Sequence, residues 1–253
     1  LTVRYSYLFA LTDNVYIMSH TFINWTIEKI FQPYPNKNHD AYNISSNAIS
    51  VADGASPVDE TFPTDISAFA ADACIMINQE LTTLYTPEAY QNTIENLKQK
   101  YSPAGYKRSA GIATAHINNN NLTFSTLGDV TCYIQTNKLI TLRDDKLIKL
   151  DQTIPNHSPL TAYIENRSLL NTLNGYYIFA DNIIATKHLT QLTLPLETIQ
   201  SFMIATDGAW RLFDNNPALF IKQAQETTLD ATMKKYQKHI PLSDDATIIL
   251  ATK

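Results

Sequence analysis

The sequence predicts an α+β fold with antiparallel β-sheets and helices on their outer faces. Two patterns predict this class. Helical periodicity falls in two groups, at residues 64–101 and 216–236, and the other segments hold short runs of β-branched and aromatic residues separated by Asn-rich turns. Because 44% of the 253 residues are hydrophobic, one sizeable core can form, and we expect a single domain over residues 1–253.

Four helices are predicted, all as packing elements. Apolar residues recur from Ile66 to Leu84 at the spacing of one helix face, which is typical of a core helix. A further helical pattern covers residues 229–236. A polar cap residue followed by proline predicts the starts of the other two helices, at Thr86-Pro87 and at Asn216-Pro217.

Strands are predicted where short runs of β-branched and aromatic residues lie between turn signals. Two pairs of runs form predicted hairpins, one across residues 118–121 and the other across Asn137-Lys138. The predicted strands are NAISVADG (47–54), GIATAHI (111–117), LTFSTL (122–127), TCYIQT (131–136), LITLRD (139–144), YYIFA (176–180), SFMIATD (201–207) and DATIILAT (245–252).

Composition and charge argue against several kinds of partner. The net charge is -5 and no basic run is longer than Lys234-Lys235, so nucleic acid is not an expected partner. The most apolar N-terminal stretch, residues 5–11, is far shorter than the roughly 20 residues of a membrane helix. Cys74 and Cys132 stand in neither a metal-binding nor a disulfide pattern, which fits a reducing compartment. We therefore expect a cytoplasmic monomer without a membrane span.

Aspartates and glycines coincide at the edges of predicted strands. The four strand-edge acids are Asp53, Asp129, Asp207 and Asp244. Half of the 6 glycines lie beside three of them, at Gly54, Gly128 and Gly208. Asp-Gly is also the commonest tight-turn dipeptide, so one such pair can simply end a strand. Independent turns do not predict this concentration, which therefore indicates a site.

Carboxylates that converge at strand ends would need a bound cation. Like charges brought together repel and raise one another's pKa. Clusters of Asp oxygens with backbone carbonyls and water suit the hard ions magnesium, manganese and calcium. Glycine beside an acid leaves room for its own carbonyl or for substrate. Two such ions roughly 3.5 to 4 Å apart can hold a hydroxide and clamp a phosphoryl group.

At these residues the sequence resembles the metal-dependent protein phosphatases, the PPM or type 2C serine/threonine phosphatases. Six segments match in family order: NHDAY (38–42), ISVADGAS (49–56), AGIATA (110–115), LGDVTCYI (127–134), MIATDGAW (203–210) and SDDATIIL (243–250). A weaker match, LDQTIPNHSPL (150–160), is similar to the segment before the family's flap region. The resemblance implies an αββα sandwich of two antiparallel sheets flanked by helices, with a binuclear magnesium or manganese centre at one end of the sheets.

The resemblance also implies a role for each acid. Asp53 would bridge two ions, with the Gly54 carbonyl as a second ligand. Asp129 matches the acid linked to a third, weaker ion, and Asp40 matches an N-terminal acid that acts largely through metal-bound water. The implied catalytic and metal-binding acids are Asp40, Asp53, Asp207 and Asp244.

Three positions depart from the family pattern. His39 precedes Asp40 where the family usually has a second acid. Pro35 stands where many members carry an arginine that holds the substrate phosphate. Lys37 is then the nearest cation and the predicted substrate ligand, without the bidentate grip of arginine. Ala55 stands where animal members carry a histidine general acid, which bacterial members often lack.

The predicted function is hydrolysis of phosphomonoesters, in particular on phosphorylated serine or threonine of a protein, by a hydroxide that bridges two magnesium or manganese ions. A pseudophosphatase that binds a partner without turnover is the alternative, although a binding module has no reason to keep Asp53, Asp207 and Asp244 together. An aspartic hydrolase or glycosidase fits less well, because such sites need only two acids in distinct settings.

Overall fold

Two antiparallel sheets form the centre of the protein, in a computed structural model that describes residues 22, 24–34, 38–55, 65–101, 108–146, 149, 169–180 and 183–253. In the first sheet the order is β1 (Thr26–Gln32), β11 (Ala246–Thr252), β10 (Ser201–Ala205), β6 (Thr131–Gln135) and β7 (Leu139–Leu142). In the second sheet it is β2 (Ala41–Ile44), β3 (Ala48–Gly54), β4 (Ser109–Asn118), β5 (Asn121–Leu127) and β9 (Thr190–Pro195), and β8 (Phe179–Ala180) pairs with the start of β4.

Helices cover the outer face of each sheet. The described α-helices are α1 (Ile66–Glu80), α2 (Thr86–Tyr101), α3 (Asp207–Trp210), α4 (Pro217–Glu226) and α5 (Leu229–Gln237). α1 and α2 share a buried cluster with the second sheet, and α4 and α5 share one with the first. This four-layer arrangement confirms the predicted αββα fold. None of the described helices is long and apolar enough to cross a membrane.

Alternation along the strands explains why their sequences are almost wholly apolar. On β3, Ile49 and Val51 belong to the core between the two sheets, whereas Ala48 and Ala52 belong to the core beneath α1 and α2. Successive side chains of a strand point to opposite faces, so a strand covered on both faces needs apolar or small residues at nearly every position. β10 and β11 show the same alternation between the core of the two sheets and the core beneath α4 and α5.

Most predicted elements are observed with small shifts at their ends. Asn216 caps α4 by accepting a hydrogen bond from the Leu219 amide at 3.1 Å, as its sequence predicts. Thr86, predicted as the cap of α2, is the first residue of that helix. The β4–β5 hairpin turns at Asn119 and Asn120, whose φ angles of 47° and 63° match the positive values of a type I′ turn.

The predicted strand YYIFA is wrong over its first three residues. Only Phe179–Ala180 pairs with β4. The preceding residues bond instead to the turn at residues 169–175: the Asn171 amide donates to the Tyr176 carbonyl at 2.8 Å, and the Ile178 amide donates to Asn171 Oδ1 at 2.9 Å. The polar side chain of Asn171 therefore competes for the backbone groups that a strand would use.

Three strands, β1, β2 and β9, were not predicted, and the weak family match at residues 150–160 lies outside the described residues. β1 shows why such strands are hard to recognise. It lies at the edge of the first sheet and carries Glu28 and Lys29 at its centre. An edge strand that is half exposed does not need the continuous apolar pattern of a central one.

His116, on β4, gives the fold a predictable response to acid. Only 5% of the residue is exposed, and burial lowers the pKa of the imidazole, opposed in part by a hydrogen bond to the Leu81 backbone. The unfolded chain then takes up a proton, near pH 6.5, more readily than the folded protein does. Stability from neutral His116 is complete above about pH 6.5 and is lost as the pH falls below it.

We expect His116→Gln to lose less stability than the wild-type protein between pH 7 and pH 5. Thermal unfolding at several pH values would measure this. The Tm of the wild-type protein and the Tm of His116→Gln should differ by a few degrees at pH 7, and this difference should narrow toward pH 5. His239→Gln is the matched control, because His239 is exposed. Identical pH profiles for wild type and His116→Gln would contradict the prediction.

Candidate active site

The predicted site acids lie at one end of both sheets. Asp53 is the penultimate residue of β3, and Asp129 follows β5 by two residues. Asp207 begins α3 and follows β10 by two residues, and Asp244 precedes β11 by two residues. Asp40 lies just before β2. Because neighbouring strands are antiparallel, the end of one strand adjoins the start of the next, and acids far apart in sequence meet.

Direct hydrogen bonds join the two sheets at this end. The Thr206 hydroxyl, beside β10, donates to Asp40 Oδ2 at 2.8 Å. The Asp207 amide donates to Asp53 Oδ2 at 3.4 Å. Asp40 and Asp53, which belong to the second sheet, are therefore held against the segment that follows β10 of the first sheet.

Asp40 is a buried carboxyl with an unsatisfied oxygen. Only 4% of the residue is exposed, and burial raises its pKa to about 8, helped by the charges of Asp245 and Asp207. The hydroxyls of Thr247 and Thr206 oppose this rise in the pKa, and Thr206 donates to Oδ2. Among the described residues, neither Asp40 Oδ1 nor the Thr247 hydroxyl has a hydrogen-bond partner of standard geometry. A buried oxygen of this kind is what a bound cation or an ordered water satisfies.

Mutual repulsion also marks the other acids as one cluster. Burial raises the pKa of Asp53 well above its usual range, and the charges of the remaining predicted acids raise it further. Burial raises the pKa of Asp207 as well, while Arg211, 2.7 Å from its carboxylate, opposes the shift. Asp244 adds to the repulsion on both. This accumulation of negative charge is costly unless a positive charge joins it.

Three further contacts place the outer acids, Asp129 and Asp244. The Asp129 carboxylate lies over Gly111, where a Cβ atom would stand 2.5 Å from Asp129 Oδ1. The Trp210 indole donates to the Asp129 carbonyl at 2.9 Å, so the buried indole of α3 holds the Asp129 loop. Asp244 Oδ1 accepts from the Asp245 amide at 2.9 Å.

The glycines beside the acids are required by close backbone contacts. A Cβ atom at Gly54 would lie 2.5 Å from the His39 carbonyl oxygen, and one at Gly208 would lie 2.0 Å from the Asp245 carbonyl oxygen. Both distances are far below any real contact, so the room left by each glycine is filled by neighbouring backbone of the site. The sequence pattern correctly indicated tight approach, but the groups that approach are protein atoms.

The donor set fits divalent metals in chemistry, though not in its present side-chain arrangement. All the clustered donors are carboxylate oxygens, the ligands that magnesium and manganese prefer. The unsatisfied oxygen of Asp40 and the mutual repulsion also favour a cation. Among the residues described, however, no group of three or more His, Cys, Asp and Glu side chains is arranged to hold a metal ion. The Asp207 carboxylate is instead paired with Arg211, whose side chain is half exposed.

The sequence did not indicate two residues that contact the site, and two predicted site positions lie outside the described residues. Pro35 and Lys37, the predicted phosphate-binding positions, fall in residues 35–37, which are not among the described residues. Asp245 and Thr206 were not singled out, yet both bond directly to the site. The doubled acid in SDDATIIL is the signal that could have drawn attention to Asp245.

Comparison with known proteins identifies the fold. No protein-family model matches the chain, and no curated protein matches it by sequence. Solved structures do match. The PPM Ser-Thr phosphatase MsPP from Mycobacterium smegmatis has a TM-score of 0.60 and 14% identity over 92% of this chain and 99% of that chain. The serine/threonine phosphatase Stp1 from Staphylococcus aureus has a TM-score of 0.63 and 12% identity over 93% and 98%.

A third match is PppA of Pseudomonas aeruginosa, described as a key regulatory component of T6SS, with a TM-score of 0.60 and 13% identity over 90% of this chain and 97% of that chain. These neighbours define the class: the protein has the fold of the PPM serine/threonine phosphatases, and its strand-end acids occupy one end of that fold. At identities of this level, the likeness establishes the fold alone.

Proposed function

We propose that this protein is a metal-dependent phosphomonoester hydrolase, specifically a protein serine/threonine phosphatase. One observation carries the proposal: aspartates from both sheets meet at one end of a PPM-type fold, and burial together with mutual repulsion raises the pKa of Asp40, Asp53 and Asp207. Groups with strongly shifted pKa values concentrate at functional sites. Burying several carboxylates together destabilises the fold, so without a functional role neutral side chains would be favoured at these positions.

The proposed roles follow the positions of the acids. Asp53, the Gly54 carbonyl, Asp207 and Asp244 would hold two magnesium or manganese ions, and Asp129 would hold a third. When bound, such ions activate water for attack and neutralise charge on the phosphoryl group. Asp40, buried beside the cluster, would orient water at its unsatisfied oxygen. Arg211 would leave Asp207 as metal binds, because its half-exposed side chain can be solvated.

The proposed substrate is a phosphorylated protein, with Lys37 as a phosphate ligand. Without an arginine at position 35, the substrate phosphate would be held mainly by the metals. Ground-state binding would then be weak, with a high KM and a less affected kcat.

A pseudophosphatase is the second candidate, and two observations favour it. The described side chains form no group arranged to hold a metal ion, and Asp207 is already neutralised by Arg211 at 2.7 Å. On this alternative the fold would bind a partner while the internal ion pair replaces the metal.

Manganese titration separates the two candidates. We expect saturable Mn²⁺ binding by calorimetry, together with Mn²⁺-dependent hydrolysis of an aryl phosphate. Magnesium should substitute for manganese, because both ions prefer oxygen donors. No saturable binding at millimolar Mn²⁺ would exclude the hydrolase and leave the pseudophosphatase.

The metal-free protein should also show a characteristic pH response. A folded-state pKa of about 8 for Asp40, against an ordinary value of 3.8, means that the folded protein keeps a proton that the unfolded chain has lost. This contribution to stability is complete below about pH 4 and is lost as the pH rises through 8. We therefore expect Mn²⁺ to raise Tm more at pH 8 than at pH 5.5. Equal increases at both pH values would show that the metal does not bind at these acids.

A further inference from the structure

Asp245 differs from its neighbour Asp244 in what its carboxylate contacts. It is only 3% exposed. Its two oxygens accept hydrogen bonds from two backbone amides of a distant segment: Oδ1 from Tyr34 at 2.6 Å, and Oδ2 from His39 at 2.7 Å. Both are short, charge-assisted bonds, which are roughly twice as strong as neutral ones. The carboxylate therefore anchors Tyr34 and His39 to the start of β11.

His39 is fixed by its backbone from two sides. Its amide donates to Asp245, and its carbonyl accepts from the Gly54 amide at 3.2 Å. The absence of a Cβ atom at Gly54 permits this approach. His39 thus connects the start of β11 in the first sheet to the end of β3 in the second.

Asp40 follows His39 directly, so the same contacts determine its position. Its Oδ2 then receives the Thr206 hydroxyl at 2.8 Å. Thr206 is itself tied to β11, because its side chain accepts from the Thr247 amide at 2.9 Å. Asp40 is therefore held through two routes that both start at β11, and one of them depends on Asp245.

We propose that Asp245 is a positioning residue, which sets Asp40 at the metal site by binding the Tyr34 and His39 amides and does not itself bind metal. The effect of Asp245 on metal binding and activity rests on the proposed function. The amide contacts themselves do not depend on that function.

The first test measures the contact without reference to activity. Amide hydrogen exchange, followed by NMR in the metal-free wild-type protein, is expected to show slow exchange at Tyr34 and His39. In Asp245→Asn one carboxylate oxygen becomes an NH₂ group, which cannot accept a bond, so at least one of these amides should exchange much faster. Fast exchange of both amides in the folded wild-type protein would overturn the proposal, even if the variant failed to fold.

The second test measures the consequence for the metal site, with Mn²⁺ as the probe. We expect Asp245→Asn to weaken apparent Mn²⁺ affinity by about 10- to 100-fold, the usual effect of removing a partner that orients metal ligands. Activity on an aryl phosphate should return at high Mn²⁺. Asp244→Asn, which removes a proposed ligand, should not recover. Asp230→Asn, on the surface of α5, is the control and should leave Mn²⁺ affinity unchanged.

Three outcomes are decisive. An unchanged Mn²⁺ affinity in Asp245→Asn would overturn the positioning role. A loss as complete and irreversible as that of Asp244→Asn would show that Asp245 is itself a ligand, which also overturns it. A wild-type protein with no Mn²⁺-dependent activity would refute the proposed function, and the exchange rates of the Tyr34 and His39 amides would then decide the anchoring role separately.

Discussion

Asp53→Asn is expected to reduce phosphatase turnover by at least about 10³-fold while leaving the protein folded. A neutral amide can neither bridge two metal ions nor help to lower the pKa of bound water. A loss of about 4 kcal/mol of transition-state stabilisation corresponds to that factor. The fold should survive, since burial and four neighbouring aspartates already disfavour the charged form of Asp53. Stopped assays at saturating Mn²⁺ and thermal unfolding would measure the two effects.

Asp207→Asn should behave in the same way, with one difference. Its carboxylate pairs with Arg211 in the metal-free protein, so the substitution also removes an ion pair. Because Arg211 is half exposed, that loss should be small. Asp230→Asn provides the surface control. Turnover within a few fold of wild type in both site variants would place the chemistry elsewhere in the molecule.

Gly208→Ala is expected to affect folding more than either aspartate substitution does. The added Cβ atom would lie 2.0 Å from the carbonyl oxygen of Asp245, 2.9 Å from its carbonyl carbon and 3.1 Å from the carbonyl carbon of Asp244. All three atoms are backbone, so no side-chain rotation can relieve the overlap. Overpacking of this kind costs about 1 to 3 kcal/mol or more. Chemical unfolding should show that loss, and Mn²⁺ affinity should fall because Asp244 is displaced.

Ala218→Ser is a suitable control for Gly208→Ala. It also adds one heavy atom to a small residue of a nearby helix, but Ala218 is exposed, and its stability should stay within about 0.5 kcal/mol of wild type. If Gly208→Ala were equally neutral, then α3 and the start of β11 would not approach each other as closely as described.

The sequence by itself determined the fold class and the identity of most of the clustered acids. The helices were predictable because a cap such as Asn216 and the 3.6-residue spacing of apolar side chains are local signals. Asp53, Asp129, Asp207 and Asp244 were predictable because each breaks an apolar run where a buried strand ends. The coincidence of glycine with these acids further indicated that chain segments approach closely there.

Only the tertiary structure decided what those acids contact. Asp244 and Asp245 are equivalent as letters in SDD, but Asp245 accepts two backbone amides more than 200 positions away, as the separations of 211 and 206 show. Arg108 likewise pairs with Asp65 through two bonds, at 2.7 and 2.9 Å, across a separation of 43 residues. The physical reason is the same in both cases. Hydrogen bonds and close backbone contacts depend on which strand ends adjoin across two sheets, and no local spacing along the chain encodes that adjacency.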